Sequence, residues 1–576
     1  MVRPNDAVAD VLQEYADLIA ITGGEAFKTR VYEKAARSIA GSAVDVSTLD
    51  VVGLRAIPHV GSSIADKIVE FLGTGQIQAV EQLRATVPAG VLDMTRIPGL
   101  GPKKAMLLYE DLGVTSVDEL RRAVREGRLE GHRGFGPRST ENILHGIAVL
   151  EHGQDRVLID VASAIADEIV AALAALPGVD RCTFAGSLRR MRETIGDVDV
   201  LAAAADSAPV MAAFTGLPVA DEVVVHGPTK SSIRTHDGLQ VDLRVVRPEA
   251  WGAALQYFTG SKAHNIRLRE IAIRKGLKLS EYGLFRADDG ALVVSETEEQ
   301  VYQQLGLPWI PPALREDRGE VEAALAGTLP ELVTDRDIRG DLHTHTDLTD
   351  GVASLAEMIA AARARGYEYY AVADHAKNMP MQRMTDAKML SQRARLRQAE
   401  AGGGMALLHA TELNIDADGG VDWNPSFLAG FDLCVASVHS LFHQSADAMT
   451  RRLVRVCENP YVTILGHPTT RLLGRRPGVD ADFDAVFRAA ARTGTALEIN
   501  ASPQRLDLPD ELVLRARRYG VMFAINTDAH ATVHLDHMRY GVGIARRGWV
   551  TPVEVLNTWP LSRVRAFVEA KRRRVA

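Results

Sequence analysis

DLHTHTDLTDG (341–351) reads as a short strand whose end carries His343 and His345, with Asp350 following in the loop. Alternation along a strand points both imidazoles to the same side. Further along the chain, YYAVADH (369–375), MALLHATE (405–412), DLCVASVH (432–439), YVTILGH (461–467), TALEIN (495–500) and VMFAINTDAH (521–530) repeat the logic. Each is a short apolar run ending in a metal-ligand-type or equivalent polar residue, and Ala/Arg-rich stretches of helical period separate most of them. Strand, ligand, helix, repeated over these seven runs, predicts an α/β barrel with its site at the C-terminal rim of the strands. The donors are His343, His345, Asp350, His375, Glu412, His439, His467, Asp528 and His530, nine in all and none of them sulfur. Such a set suits up to three divalent ions (about three ligands each), of the Mn²⁺, Zn²⁺ or Fe²⁺ type rather than Ca²⁺. His409, His443, His534 and His537 fall outside this pattern and read as incidental or surface residues.

The chain has 576 residues, too many for one ordinary core, and should hold roughly two to four domains. Hydrophobic residues make up 46% and charged residues 24%, as in a soluble globular protein. Cys182, Cys434 and Cys457 show no CxxC spacing, which argues against a disulfide framework or a thiolate zinc site and fits a reducing cytoplasm. The opening MVRPNDAVADVLQEYADL reads as an amphipathic helix, not a signal peptide, and no apolar run reaches membrane-spanning length. A formal net charge of −8 argues against coating nucleic acid by bulk charge, yet leaves room for local basic patches. No oligomerisation signal stands out, so a monomer is expected.

Residues 1–150 are mostly of helical period, broken by Gly/Pro turns. AIPHVGSSIADKI (56–68) and RIPGLGPKKAMLL (96–108) repeat one pattern, and RGFGPRSTENIL (133–144) is a looser third copy. A glycine turn between two short helices exposes backbone N–H groups at the second helix's start, where they suit a phosphate. Gly61, Gly99 and Gly101 make these turns, and Lys103 and Lys104 add charge where a phosphodiester would lie. One copy alone would be an ordinary tight turn. The repetition favours sequence-independent DNA backbone binding, and the pattern resembles the helix–hairpin–helix of DNA repair proteins.

In AGSLRRMRETIGDVDVLAAA (185–204), Asp197 and Asp199 stand two apart on one face of a strand. Asp242, in the apolar run LQVDLRVV, could complete a carboxylate cage. Carboxylates so close repel unless cations sit between them. A two-metal site of this kind suits in-line phosphoryl transfer. Gly186 and Ser187, with Arg189 and Arg190 following, form a small-residue turn suited to a triphosphate.

GSLRR followed by GDVDV resembles the nucleotidyltransferase palm of family X DNA polymerases, and YFTGSKAHNIRLREIAIRKGLKLSEYGLF (257–285) resembles that family's thumb. DLHTHTDLTDG, ADH, SVH, LGHP and TDAH resemble the PHP (polymerase and histidinol phosphatase) domain, a distorted seven-stranded barrel. The order of the parts is that of bacterial family X polymerases with a C-terminal PHP domain.

The resemblance implies a multidomain α/β and α fold with the following division. A helical, lyase-like DNA-binding domain covers 1–80 and a second helix–hairpin–helix domain 81–150. The palm covers 151–248, the thumb 249–318, a linker 319–338 and a distorted (β/α)7 PHP barrel 339–570. It also implies that Asp197, Asp199 and Asp242 bind Mg²⁺ or Mn²⁺ and are catalytic. Ser187, Arg190 and Arg156, with Gly186, would hold the triphosphate. Tyr257, Phe258 and Gly260 would pack the incoming sugar, Asn265 would touch the nascent base pair, and Arg269 the template. Gln240 stands where animal members carry Arg, and Lys262 where they carry Asp. Lys67 falls where those members keep a Schiff-base lysine, but with Ser63 at a second basic position it reads as a phosphate-contacting or surface lysine.

The expected activity is filling of short gaps in primed DNA from dNTPs during repair. The PHP site would act as a 3′→5′ exonuclease, with abasic-site endonuclease or 3′-phosphatase as variants. The alternative is a DNA phosphoesterase with an inactive polymerase core, which Asp242→Asn would discriminate. A small-molecule phosphatase has no evident use for the helical hairpins.

Overall fold

The computed structural model describes residues 4–40, 42, 44–87, 89–95, 97, 100, 102–129, 132, 135, 143, 147, 156–379, 384–401 and 403–575. The N-terminal unit is helical. Pro4–Ile21 and Ala26–Ala40 pack on each other, followed by Val51–Ala56, Ser62–Thr74, Gln78–Arg84, Ala89–Thr95, Pro102–Leu112 and Val117–Arg125. Local chemistry sets the ends. Asp50 accepts the Gly53 N–H at 2.8 Å and Ser116 the Glu119 N–H at 3.2 Å, while Gly75 closes its helix at φ 75°. Leu12, Ile39, Leu54, Ile68, Leu108 and Leu120 meet in a core separate from the rest of the chain.

After the helix Ile159–Ala174 comes a five-stranded sheet ordered Val179–Phe184, Asp197–Ala204, Gln240–Val246, Lys230–Thr235, Ala220–His226. Its central strands Asp197–Ala204 and Gln240–Val246 run parallel, which places Asp199 opposite Asp242. Alternation is plain in Gln240–Val246, where Val241, Leu243 and Val245 are buried and the residues between them half-buried. The strand Lys230–Thr235 escapes a sequence reading, because KSSIRT lacks an apolar run.

Helices Trp251–Thr259 and Lys262–Arg274, a small sheet (Leu277–Ser280, Gly283–Arg286, Leu292–Val294) and helix Glu298–Gln304 form the next unit. Residues 319–338 are no open tether. They carry helix Glu320–Leu325 and bury Leu332 and Val333. Glu320, fully buried, lies 2.6 Å from His264 Nδ1 and accepts the Asp317 and Arg318 N–H groups. The charges that make this stretch look solvated are internal partners.

The C-terminal unit is a parallel barrel. Gly340–Asp341, Tyr369–Val372 and Ala406–His409 form one sheet. Glu412–Asn414, Val435–Ser437, Ile464–Leu465, Ala496–Asn500 and Phe523–Asn526 form another. Bridges His375–Glu412 and Thr344–Ala529 join the two sheets at both seams. The run MALLHATE is the point of distortion, since it supplies both Ala406–His409 and the start of Glu412–Asn414. One apolar cluster spans the sheet around Asp199 and much of this barrel. Met191 presses on Gly543, where an added Cβ would fall 2.5 Å from the Met191 methyl.

Candidate active sites

The first site is the carboxylate triad. Asp199 rises to about 7, pushed by burial and then by the neighbouring Asp197 and Asp242. Gly186 at φ 59° is required beside it, because a Cβ there would stand 2.1 Å from Asp199 Oδ2. Burial opposes ionisation of Asp242, but chiefly the hydrogen bonds from Lys230 and Gln240 outweigh it and hold this carboxyl below its usual range. Lys230 Nζ lies 2.7 Å from Asp242 Oδ2, and Gln240 Nε2 donates to Oδ1 at 2.9 Å. Gln240 thus serves the third carboxylate directly. Lys230, which sequence reasoning missed, supplies the adjacent cation from the unforeseen strand.

Ser187 lies half-buried on the short helix Gly186–Arg189. Arg190 is engaged, donating to Glu316 Oε1 at 3.0 Å and to the Thr259 carbonyl at 2.6 Å. Arg189 pairs with Glu298, and exposed Arg156 holds Thr194. Tyr257 and Phe258 meet edge to face at 5.2 Å, and the Arg244 guanidinium lies 5.4 Å from the Phe258 ring. Gly260 takes φ 65° beside the Arg190 guanidinium. Tyr257 and Arg269 line an open cavity of about 450 Å³. Asn265 is buried, accepting from Gln256 and donating to the Tyr257 carbonyl, both at 2.7 Å. In this arrangement its amide orders the helix turn rather than facing open space.

In the helical unit, Gly61 precedes helix Ser62–Thr74 and lines a cavity of about 490 Å³ with Lys34, Arg55 and His59. Lys67 Nζ reaches Ser63 Oγ at 3.4 Å. Lys103 lies on helix Pro102–Leu112, and Lys104 Nζ sits 5.8 Å from the Phe135 ring. Gly99, Gly101 and most of the third hairpin copy lie outside the described residues.

The second site collects all nine donors of the barrel rim in a chain of close contacts. His345 Nε2 is 3.2 Å from His343 Nε2 and 3.1 Å from Asp528 Oδ1. His375 bridges Asp350 (3.2 Å) and Glu412 (2.9 Å), and His530 lies 3.3 Å from Asp350. Glu412 Oε1 also faces His439 and His467, each at 3.0 Å. Three overlapping groups have donor atoms within 4.8 Å of one another: His345, Asp350, His375 and His530; His343, His345 and Asp528; His375, Glu412 and His439. Burial opposes it, yet facing imidazoles hold Asp350, Glu412 and Asp528 far below the usual carboxylate range. His439, by contrast, is pushed down to about 4 by burial.

The donors fit divalent cations on their own geometry. Two imidazole nitrogens face each other across 3.2 Å, and His345 Nδ1, His467 Nδ1 and Asp350 Oδ1 are buried with no hydrogen-bond partner among the described residues. Outer groups orient the rings. His343 Nδ1 is 2.8 Å from Glu498 Oε1, and His439 Nδ1 is 2.8 Å from Asn414 Oδ1. Glu498 lies on the run TALEIN, Asn414 lies two residues past MALLHATE, and nothing in their spacing marks them as supports.

Family models match along the chain: helix-hairpin-helix domain at 3–77, SAM-like helix-hairpin-helix tandem at 91–148, DNA polymerase beta thumb at 254–316 and PHP domain at 341–502. The DNA polymerase/3′-5′ exonuclease PolX of Bacillus subtilis (strain 168) is 36% identical over 97% of this chain and 98% of its own length. The chain belongs to the family X DNA polymerases that carry a PHP domain. Two further relatives match part of it. DNA polymerase lambda of Rattus norvegicus is 29% identical over 45% of this chain and 48% of its own length. A probable phosphatase of Thermoanaerobacter sp. (strain X514) is 26% identical over 41% of this chain and 96% of its own length. This family X polymerase is therefore a DNA polymerase with a second, PHP-type unit that takes divalent metals. Among its described residues no helix is long and apolar enough to cross a membrane.

Proposed function

We propose that the chain fills short gaps in DNA from dNTPs at Asp197, Asp199 and Asp242, and trims 3′ ends at the nine-donor centre. The observation that carries this reading is the presence of two separate clusters, one purely carboxylate and one of mixed imidazole and carboxylate donors. Mg²⁺ or Mn²⁺ suits the first, and up to three ions of the Mn²⁺, Zn²⁺ or Fe²⁺ type (about three ligands each) suit the second. Bound there, divalent ions supply positive charge that neutralises phosphate oxygens and lowers the pKa of the attacking hydroxyl or water.

The chain's own residues do the positioning. Asp199, half-buried against Gly186, and Asp242, paired with Lys230, set the spacing of the cage. Ser187, Arg156 and Arg190 are proposed to hold the triphosphate, Arg190 after exchanging its Glu316 partner for a phosphate oxygen. Tyr257, Phe258 and Gly260 would pack the sugar, with Asn265 supporting the Tyr257 carbonyl from behind. Arg269 would meet the template, while Gly61, Gly99, Gly101, Lys67, Lys103 and Lys104 would follow the DNA backbone without reading sequence. At the barrel, Glu498 and Asn414 fix the ring orientations of His343 and His439.

The test uses a 5′-labelled primer in a one-nucleotide gap with Mn²⁺, with and without dNTPs. Lengthening with dNTPs and shortening without them is the expected result. Shortening alone would leave the front half as a DNA-delivery module and overturn the polymerase assignment of the triad.

A further inference from the structure

Beyond the nine donors, two guanidinium groups share one side of the barrel rim. Arg505 lies on the loop after strand Ala496–Asn500, and Arg476 on the loop after strand Ile464–Leu465 that also carries His467. Arg505 Nε stands 3.7 Å from Asp528 Oδ2, beside the metal cluster. Its Nη1 is buried and has no hydrogen-bond partner among the described residues. Arg476 is fixed differently. It donates to the Thr470 carbonyl from Nε at 3.1 Å and from Nη2 at 2.7 Å, and lies 4.0 Å from the centre of the Phe442 ring.

The two cations feel each other. Burial and then the charge of Arg505 push Arg476 down to about 10, against the opposing charge of Asp507. Asp507 is already committed, since both of its oxygens accept the Thr469 N–H at 3.1 Å. A purely architectural role would leave Arg505 looking like Arg471. That neighbour donates to the Arg505 carbonyl at 2.8 Å, to the Leu506 carbonyl and to Glu193 at 2.6 Å, and so does the loop-bracing itself. The loops that carry Arg476 and Arg505 are bonded to each other, Leu473 N–H to the Gln504 carbonyl at 2.8 Å, and the spare buried donor of Arg505 between them calls for an anion. Beside a phosphoesterase-type metal centre the anion of matching geometry is a phosphate, whose oxygens fit the planar guanidinium fork.

We infer that Arg505 and Arg476 bind phosphate groups of the DNA 3′ end at the metal centre, Arg505 taking the phosphate that is cleaved. This rests on the end-trimming reading above. Arg505, next to Asp528, would hold a phosphoryl oxygen as negative charge builds on it, and Arg476 would anchor the strand behind it. No acid, base or covalent step is assigned to either residue.

The test compares Arg505→Gln and Arg476→Gln, each in the full chain, with the unaltered protein. Removal of the 3′ nucleotide from a 5′-labelled single strand should lose about 10- to 100-fold in kcat/KM in each variant, the value of a hydrogen bond to a charged group. Bound Mn²⁺ content and gap filling should be unchanged. Binding of thymidine 5′-monophosphate, read by calorimetry without turnover, should weaken about tenfold. Trimming and nucleotide binding that survive in both variants would overturn the inference. So would loss of metal in Arg505→Gln with normal trimming in Arg476→Gln, which would make Arg505 a prop for Asp528. An unaltered protein that binds the nucleotide through these arginines but trims nothing would sink the exonuclease reading and leave the phosphate cradle standing.

Discussion

Arg547 of the barrel donates from Nη1 to Glu316 Oε1 at 2.7 Å, and the same oxygen accepts Arg190 Nε at 3.0 Å. Arg547 Nη1 also donates to the Arg190 carbonyl at 2.9 Å, and its Nη2 lies 2.8 Å from Asp510, which Arg318 holds from the other side. A side chain only 1% exposed therefore ties the PHP unit to the turn that carries Gly186, Ser187 and Arg190. Replacing Arg547 by Met leaves Glu316 with Arg190 and Asp510 with Arg318 but removes the buried cation they share, at a cost of about 1.5–3 kcal/mol. Thermal unfolding should begin at lower temperature, and gap filling should weaken while Mn²⁺ content at the barrel holds. An unchanged melting curve would show that the two units are held by the apolar cluster alone.

His343→Ala should cut end trimming by about 100-fold or more, the scale on which one transition-state contact acts. Primer extension should survive. Asp242→Asn should do the reverse. Primer gels of both variants check this, and a loss of both activities from either change in a folded protein would refute two independent sites.

Stripping metal leaves Asp350 and Glu412 facing imidazoles, and Asp528 facing imidazoles and Arg505, in a buried cluster. Ligand that binds only the native state stabilises it by about 2.7 kcal/mol at a hundredfold excess over Kd. Treatment with a chelator should lower the melting temperature, and Mn²⁺ should restore it. The shift should be largely absent in His343→Ala. A chelated protein that melts like the untreated one would argue against a resident metal.

Glu298 offers a test by pH. Burial opposes its ionisation, but Arg315 and Arg189 hold it down to about 2, from an ordinary 4.5. The unfolded chain takes up this proton first as pH falls. The stabilisation is therefore complete above about pH 4.5 and is lost as pH drops through 2. Glu298→Gln should cost about 3 kcal/mol at neutral pH, by leaving fully buried Arg315 without its carboxylate. The deficit should shrink steadily below pH 4.5. Denaturant unfolding at stepped pH measures it, and a deficit constant with pH would mean that packing, not charge, is what the substitution removes.

Much of the barrel was legible because its chemistry sits at strand ends. His343, Asp350, His375, Glu412, His439, His467, Asp528 and His530 each follow an apolar run, so period and residue type mark them together. Asp199 and Asp242 were legible for the same reason, and their pairing in register follows from two parallel strands. Lys230 was not, since a polar strand carries no apolar signal, and neither was the packing of 319–338, whose charges looked solvated.

Local order along the chain, then, already determined the order of the units, the barrel's donors and the carboxylate pair, because each depends on alternation within a few residues. Only the tertiary structure decided who partners whom. Arg547 with Glu316, Lys230 with Asp242, and Arg505 beside Asp528 join residues that are distant in sequence. Those contacts depend on how units and loops pack against one another, and periodicity within a segment carries no information about its distant neighbour. The charges that sequence reading assigns to solvent are, at these places, the ones that burial makes decisive.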